Sequence, residues 1–408
     1  MASLNTPAEP MPAVPSSSPT PSQPEPSGDI VVQVFGRTDV GRTRDHNEDA
    51  FIVADLTSDV ATVPTEVRRT LVGRKGSMFM VADGMGGAAA GEIASAMAVE
   101  AILGDLRANW IAGDTADPEA FVRAIKQATK SANTQIHGYA TAHPEYRGMG
   151  TTATIAGLLG DTLYLAQVGD SRAYIVRDGV ARQITKDQSL MQKLIEAGEL
   201  TEEEAKLSER RNIILQALGP EPYIKVDLTH QVVRRGDTLV LCSDGLSGQL
   251  TKEEIAMVVT DEPDVASACK LLIERANFAG GPDNITVILA RFDGPGLRPP
   301  SEDDEIGHQE FPLPSDGTPT DAVTVEVLPP AVLRRPGARP VHLGESTVPV
   351  PPTPTPPTLT TPPKAHTPAP TPVVSPERQS TGRLLQLSLL SLLVVSLIYF
   401  VYRFFQGR

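Results

Sequence analysis

Cysteine is almost missing: the chain has two in 408 residues, Cys242 and Cys269, each in an apolar run. That excludes a disulfide-built scaffold and points to a reducing, cytosolic compartment. Cations are scarce too, with 36 Lys and Arg against 50 Asp and Glu and a net charge of −14. Binding a phosphate backbone needs clustered Lys and Arg, so no nucleic-acid partner is expected, and the acid excess serves mainly solubility. The first residues lack the basic and then apolar pattern of a signal peptide. Proline is thin only in the middle. Residues 1–28 hold 8 and residues 299–376 hold 21 of the 37, which leaves 8 for the stretch between.

Proline fixes φ and donates no hydrogen bond, so residues 1–28 read as a disordered Pro/Ser-rich tail and residues 294–383 as a Pro/Thr-rich linker. Between them, residues 29–293 are long enough for one domain with a substantial core. Long apolar runs are absent until residues 384–402, "LLQLSLLSLLVVSLIYFVY", a run of 19 without charge flanked by Arg383 and Arg403. At about 1.5 Å per residue, a helix of that length just crosses a hydrocarbon layer of about 30 Å. The expectation is a membrane anchor, with the large N-terminal domain cytoplasmic and residues 403–408 a short tail.

Periodicity within the domain is mixed. "SMFMVAD" (77–83) reads as a strand, and residues 88–109 and 118–140 have helical spacing, with Pro118 suited to a helix start. Four strand-like runs follow at 151–159, 162–170, 172–179 and 181–185. Their connectors are too short for helical crossovers, which predicts antiparallel neighbours. Residues 187–223 are polar and helix-prone, with a capping-box pattern at Thr201 and Glu204. Strands resume at 226–233 and 237–244, helices are expected at 252–259 and 263–278, and a last strand at 284–292. This order predicts an α+β sandwich with helices outside packed antiparallel sheets.

Aspartates recur where strands are expected to end: "NED" (47–49), "VADG" (81–84), "VGDSR" (168–172), "CSDG" (242–245) and "GGPDN" (280–284). One Asp-Gly is an ordinary turn dipeptide. Several carboxylates brought together raise one another's pKa, and divalent cations would neutralise them. Oxygen ligands suit Mg²⁺ or Mn²⁺, and the lack of paired Cys or His ligands disfavours zinc.

Six motifs, "RTRDHNEDA", "VADGMGG", "GMGTTATIAGL", "VGDSRAYIVRDG", "LCSDGLS" and "GGPDNITVILARF", occur in the order seen in the metal-dependent type 2C Ser/Thr protein phosphatases, the PPM family, which the chain resembles over about residues 31–293. With its C-terminal run, it resembles the bacterial membrane-tethered members that oppose Ser/Thr protein kinases. The resemblance implies a four-layer αββα sandwich and two Mn²⁺ or Mg²⁺ ions, with a weaker third possible. It implies that Asp83 bridges the pair, that Gly84 adds its backbone carbonyl, and that Asp244 and Asp283 complete the ligands. Asp49 would hold metal-bound water, Asp170 would serve the third ion, and Arg44 would grip the substrate phosphate. Two ions lower the pKa of a bridging water that attacks phosphorus directly, without a phosphoenzyme. Many eukaryotic members carry histidine where this chain has Met85, which cannot donate a proton. The implied partners are phosphorylated proteins, kinases among them.

Blander alternatives compete. "CKLLIER" (269–275) fits the C-x₅-R pattern of cysteine-dependent phosphatases, but reads as an amphipathic helix interior without a phosphate-cradling loop. Cys242 reads as a small core residue, "GMG" (148–150) as a strand-edge turn, and Arg172 as a structural ion-pair partner. A catalytically dead phosphoprotein adaptor is the rival class, and it would be expected to have lost a metal ligand.

Overall fold

A computed structural model describes residues 28–313 apart from 64–65, 87–89 and 209. The expected anchor at 384–402 and most of the expected linker therefore lie outside the described residues. Among the described residues, no helix is long and apolar enough to cross a membrane.

The chain opens with β1 (Val31–Asp39), β2 (Asp49–Asp55), β3 (Val60–Thr62), β4 (Arg68–Leu71) and β5 (Ser77–Met85). Helices α1 (Ala90–Leu106) and α2 (Pro118–Ala142) follow; a π-helical turn, Arg107–Ile111, extends the first, and Asp117 caps the second through Ala120 N. Next come β6 (Gly150–Thr151), β7 (Ala153–Leu159), β8 (Thr162–Val168), β9 (Arg172–Arg177) and β10 (Val180–Gln183). Short helices α3 (Leu190–Glu196) and α4 (Glu202–Leu207) fill the polar stretch, and α4 carries the expected capping box. The rest is β11 (Asp227–Val232), β12 (Thr238–Cys242), α5 (Asp244–Ser247), α6 (Lys252–Asp261), α7 (Val265–Phe278) and β13 (Ile285–Asp293).

Two antiparallel sheets result, one in the order β10-β9-β12-β13-β1-β4, the other β11-β8-β7-β5-β2-β3 with β6 beside β5. Alternation along each strand divides its side chains between two layers. In β13, Ile288, Ala290 and Phe292 fill the gap between the sheets, while Val287 and Leu289 pack under α6 and α7. In β5, Phe79 and Val81 point into the gap, and Met78, Met80 and Ala82 lie under α1 and α2. The result is helix, sheet, sheet, helix.

Three expectations need correction. Strands β8 and β9 are not neighbours; they belong to different sheets. The link at residues 169–171 can span about 10 Å, the usual distance between packed sheets, so a hairpin-length connector here crosses the sandwich. Periodicity delimits no strand before residue 77, yet β1 to β4 lie there. Finally, the packed chain runs past Asp293 to Leu313: Arg234 holds Asp304, His308 Nε2 lies 2.8 Å from Asp227 Oδ2, and Phe311 N bonds Leu228 O along the free edge of β11.

Candidate metal centre

The same alternation turns polar at one end of the sandwich. Residues 51 and 53 of β2 face the inner core, so Asp49 does too; residues 79 and 81 of β5 place Asp83 on that face. The register sets Asp49 directly opposite Asp83. From the other sheet, the series Leu239, Leu241 continues to Ser243, and the series Phe292, Ala290, Ile288 reaches Thr286. Ser243 Oγ donates to Asp49 Oδ2 at 2.8 Å, and Thr286 Oγ1 donates to it at 2.6 Å. Asp244 opens α5, Asp283 precedes β13, and Asp170 sits in the link that crosses between the sheets. The expectation that each aspartate follows a strand holds for Asp170 and Asp244; Asp49 opens β2, Asp283 precedes β13, and Asp83 lies within β5.

Electrostatics tie the five together. Burial comes first, then the charges of Asp49, Asp244, Asp170 and Asp283, in pushing Asp83 well above the usual carboxylate range. Burial raises Asp49 to about 7, although bonds from Thr286 and Ser243 pull the other way. Asp170 also rises to about 7, through burial and then the charge of Asp244. Asp244 is raised by burial and by Asp283, while a hydrogen bond from Asp83 opposes the shift.

The residues present fit a hard divalent cation. Asp49 Oδ1 is buried with no hydrogen-bond partner, an expensive arrangement for a carboxylate unless positive charge meets it. At Gly84, an added Cβ would lie 2.2 Å from Gly91 O and 2.4 Å from Glu48 O, so only glycine lets the backbone thread this end of the cluster. Among the described residues no three acids, histidines or cysteines already surround one point as ligands. The carboxylates form an open, mutually repelling group rather than a closed cage.

Arg44 stands at the mouth, with Nη2 2.8 Å from Asp283 Oδ2 and Nη1 3.7 Å from Glu48 Oε2, and its side chain is 46% exposed. Met85 ends β5 at the same rim. Arg172 has the structural role expected of it: it pairs with Asp187 at 2.6 Å and touches Tyr174 OH. Cys242 and Cys269 are buried, and burial pushes both thiols up to about 12, which rules out an activated thiolate.

Sequence reasoning assigned no role to Ser243, Thr286, Glu48 or Asn284. Asn284 is buried and ties the arginine-bearing loop to β13: its Nδ2 donates to Val40 O and His46 O, and its Oδ1 accepts from Glu48 N. Extending the two-residue period from the apolar strand positions would have found Ser243 and Thr286. No local pattern marks Asn284, whose partners are more than 230 residues away in the chain.

Residues 68–279 match the protein phosphatase 2C family. The serine/threonine phosphatase stp of Listeria monocytogenes is 36% identical over 257 residues, 63% of this chain and 94% of that protein. PstP of Mycobacterium tuberculosis, a serine/threonine protein phosphatase, is 36% identical over 262 residues, 64% of this chain and 45% of that longer protein. A crystal structure of the PstP catalytic domain in complex with two manganese ions superposes with a TM-score of 0.53 at 34% identity, covering 65% of this chain and all of that domain. The S. agalactiae serine/threonine phosphatase gives 0.56 at 34% identity over 64% of this chain and 99% of its own.

Proposed function

This chain belongs to the protein phosphatase 2C family, and we propose that its five clustered aspartates form the metal-binding centre of the enzyme. It is a metal-dependent protein serine/threonine phosphatase. Asp83, the Gly84 carbonyl, Asp244 and Asp283 would hold two Mn²⁺ or Mg²⁺ ions, and Asp170 would serve a weaker third. When bound, the ions supply the charge that makes a water nucleophilic near neutral pH and offsets the charge developing on the phosphoryl oxygens.

The side chains do the rest. Ser243 and Thr286 occupy Asp49 Oδ2, which leaves Oδ1 to accept a hydrogen bond from a water. Arg44, held at the rim by Asp283, has a planar fork that suits two phosphate oxygens. The Met85 thioether has no proton to give, so the departing serine or threonine alkoxide takes its proton from a water.

The observation that carries this function is the convergence of acids from both sheets around the orphaned Asp49 Oδ1. Purified enzyme should hydrolyse a phosphothreonine peptide with Mn²⁺, lose that activity in EDTA, and keep it after thiol alkylation. Full activity in excess EDTA would refute the assignment.

The proposal extends to location. The uncharged run at 384–402, flanked by Arg383 and Arg403, supports an anchor in the cell membrane, and the lack of a signal-peptide pattern in the first residues is the ground for a cytoplasmic catalytic domain. Held there, the enzyme acts on phosphorylated membrane-associated proteins, Ser/Thr kinases and their substrates among them.

A further inference from the structure

Beside the metal centre lies a cleft of about 290 Å³ walled by β1 and the C-terminal half of α7. Arg37 on β1, Arg42 on the following loop and Lys270 on α7 all line it, and all three are exposed. None of them makes a salt bridge among the described residues. The acid on the floor is already engaged, since Asp39 Oδ1 accepts from Gly41 N and from Asn277 Nδ2, each at 3.0 Å. Glu274 is the remaining acid at the cleft. Three cations against two acids leave the cleft with a positive excess, on a chain of net charge −14.

The cleft joins the catalytic rim directly. Arg42 N donates to Gly281 O at 2.7 Å, tying the cleft loop to the turn that carries Asp283. Two residues further on, Arg44 reaches Asp283. Residues two apart are separated by at most about 7 Å at Cα, and an extended peptide advances about 3.3 Å per residue. Phe278, 95% exposed, adds an apolar edge to the cleft.

We propose that this cleft is a specificity subsite that takes an acidic or phosphorylated side chain two or three residues from the phosphoresidue being hydrolysed. The proposal rests on the phosphatase assignment above. The wider negative field of the protein repels acidic peptides, so a local basic cleft at the site decides which of them dock.

The test compares three substrates under saturating Mn²⁺: p-nitrophenyl phosphate, a phosphothreonine peptide with alanine on both sides, and a set with glutamate or phosphoserine two or three residues away on either side. Wild-type enzyme should prefer at least one acidic peptide by about tenfold in kcat/KM, carried by KM, because two or three exposed charge contacts are each worth a few-fold. The preference should fade as salt is raised. Arg37→Ala with Lys270→Ala should abolish it and leave p-nitrophenyl phosphate and the alanine peptide unchanged. Lys270→Glu alone, at an exposed helix position, should turn the preference against acid. Equal rates on neutral and acidic peptides by the wild type, or a preference that survives both changes, would overturn the subsite. Failure to hydrolyse any of the three substrates would instead overturn the phosphatase assignment, and the subsite with it.

Discussion

Replacing Asp49 with asparagine should make the metal-free protein more stable near pH 8 while weakening the enzyme. The carboxyl rises from an ordinary 3.8 to about 7 in the fold, chiefly by burial. A folded-state pKa raised above the unfolded value gives stability that is present below the unfolded pKa and lost as pH rises through the folded one. Wild-type protein stripped of metal should therefore lose stability between about pH 4 and pH 8 on account of this group. For a shift of about three units, the loss is about 4 kcal/mol at most.

Two effects reduce the gain seen in Asp49→Asn. Asp83 and Asp244 titrate in the same cluster and share the cost of the charge. The bonds from Ser243 and Thr286 also weaken when their acceptor becomes neutral, by about 1 kcal/mol together. The net expectation at pH 8 is a stabilisation of about 1–3 kcal/mol, or a few degrees in Tm for a domain of this size. At pH 5 the wild-type group is already protonated, and the difference should nearly vanish. Urea denaturation of metal-stripped protein at the two pH values reads this directly, and repetition with Mn²⁺ should stabilise wild type more than variant. A variant less stable than wild type at pH 8, or a difference independent of pH, would refute the account of a buried, uncompensated charge.

Asp83→Asn keeps the shape but removes the charge central to the cluster, so kcat should fall at least about a hundredfold, or about 2.7 kcal/mol of barrier, with the fold intact by circular dichroism; near-normal turnover would sink the assignment. Arg44→Ala should mainly raise KM for phosphopeptides, because its contact to phosphate is largely made before the transition state; an unchanged KM would count against that role. Deleting residues 384–408 should give an enzyme with unchanged kcat on a short peptide that leaves the membrane fraction on lysis, whereas finding the intact chain in the soluble fraction would dismiss the anchor.

The acids were legible in the sequence because each sits in a short motif, and the sandwich was legible because its strands alternate. What the sequence hid was long-range. In β1, Gly36 sits in mid-strand, where an added Cβ would lie 2.5 Å from the Phe51 ring. The glycine is demanded by the close approach of the opposing sheet, which no local pattern reports. The crossing at residues 169–171 was hidden for a related reason, since a short connector has the same length whether it turns back within a sheet or steps across to the other. Ser243, Thr286 and Asn284 became visible only when two sheets and a distant loop were brought face to face.

Asp49 and Asp83 belong to one sheet, Asp244 and Asp283 adjoin strands of the other, and Asp170 lies on the thread that stitches them. A centre assembled across such a seam works as a ruler for the sandwich. Packed cores resist continuous deformation, so a slip of one sheet over the other small enough to leave every strand paired would still alter the spacing between the two groups of carboxylates. If the proposed centre holds its ions, whatever leans on the outer helices, whether pressure, a neighbouring domain or a bound protein, would have a mechanical route to metal occupancy. Manganese affinity would then register inner-core disturbance well before melting temperature does.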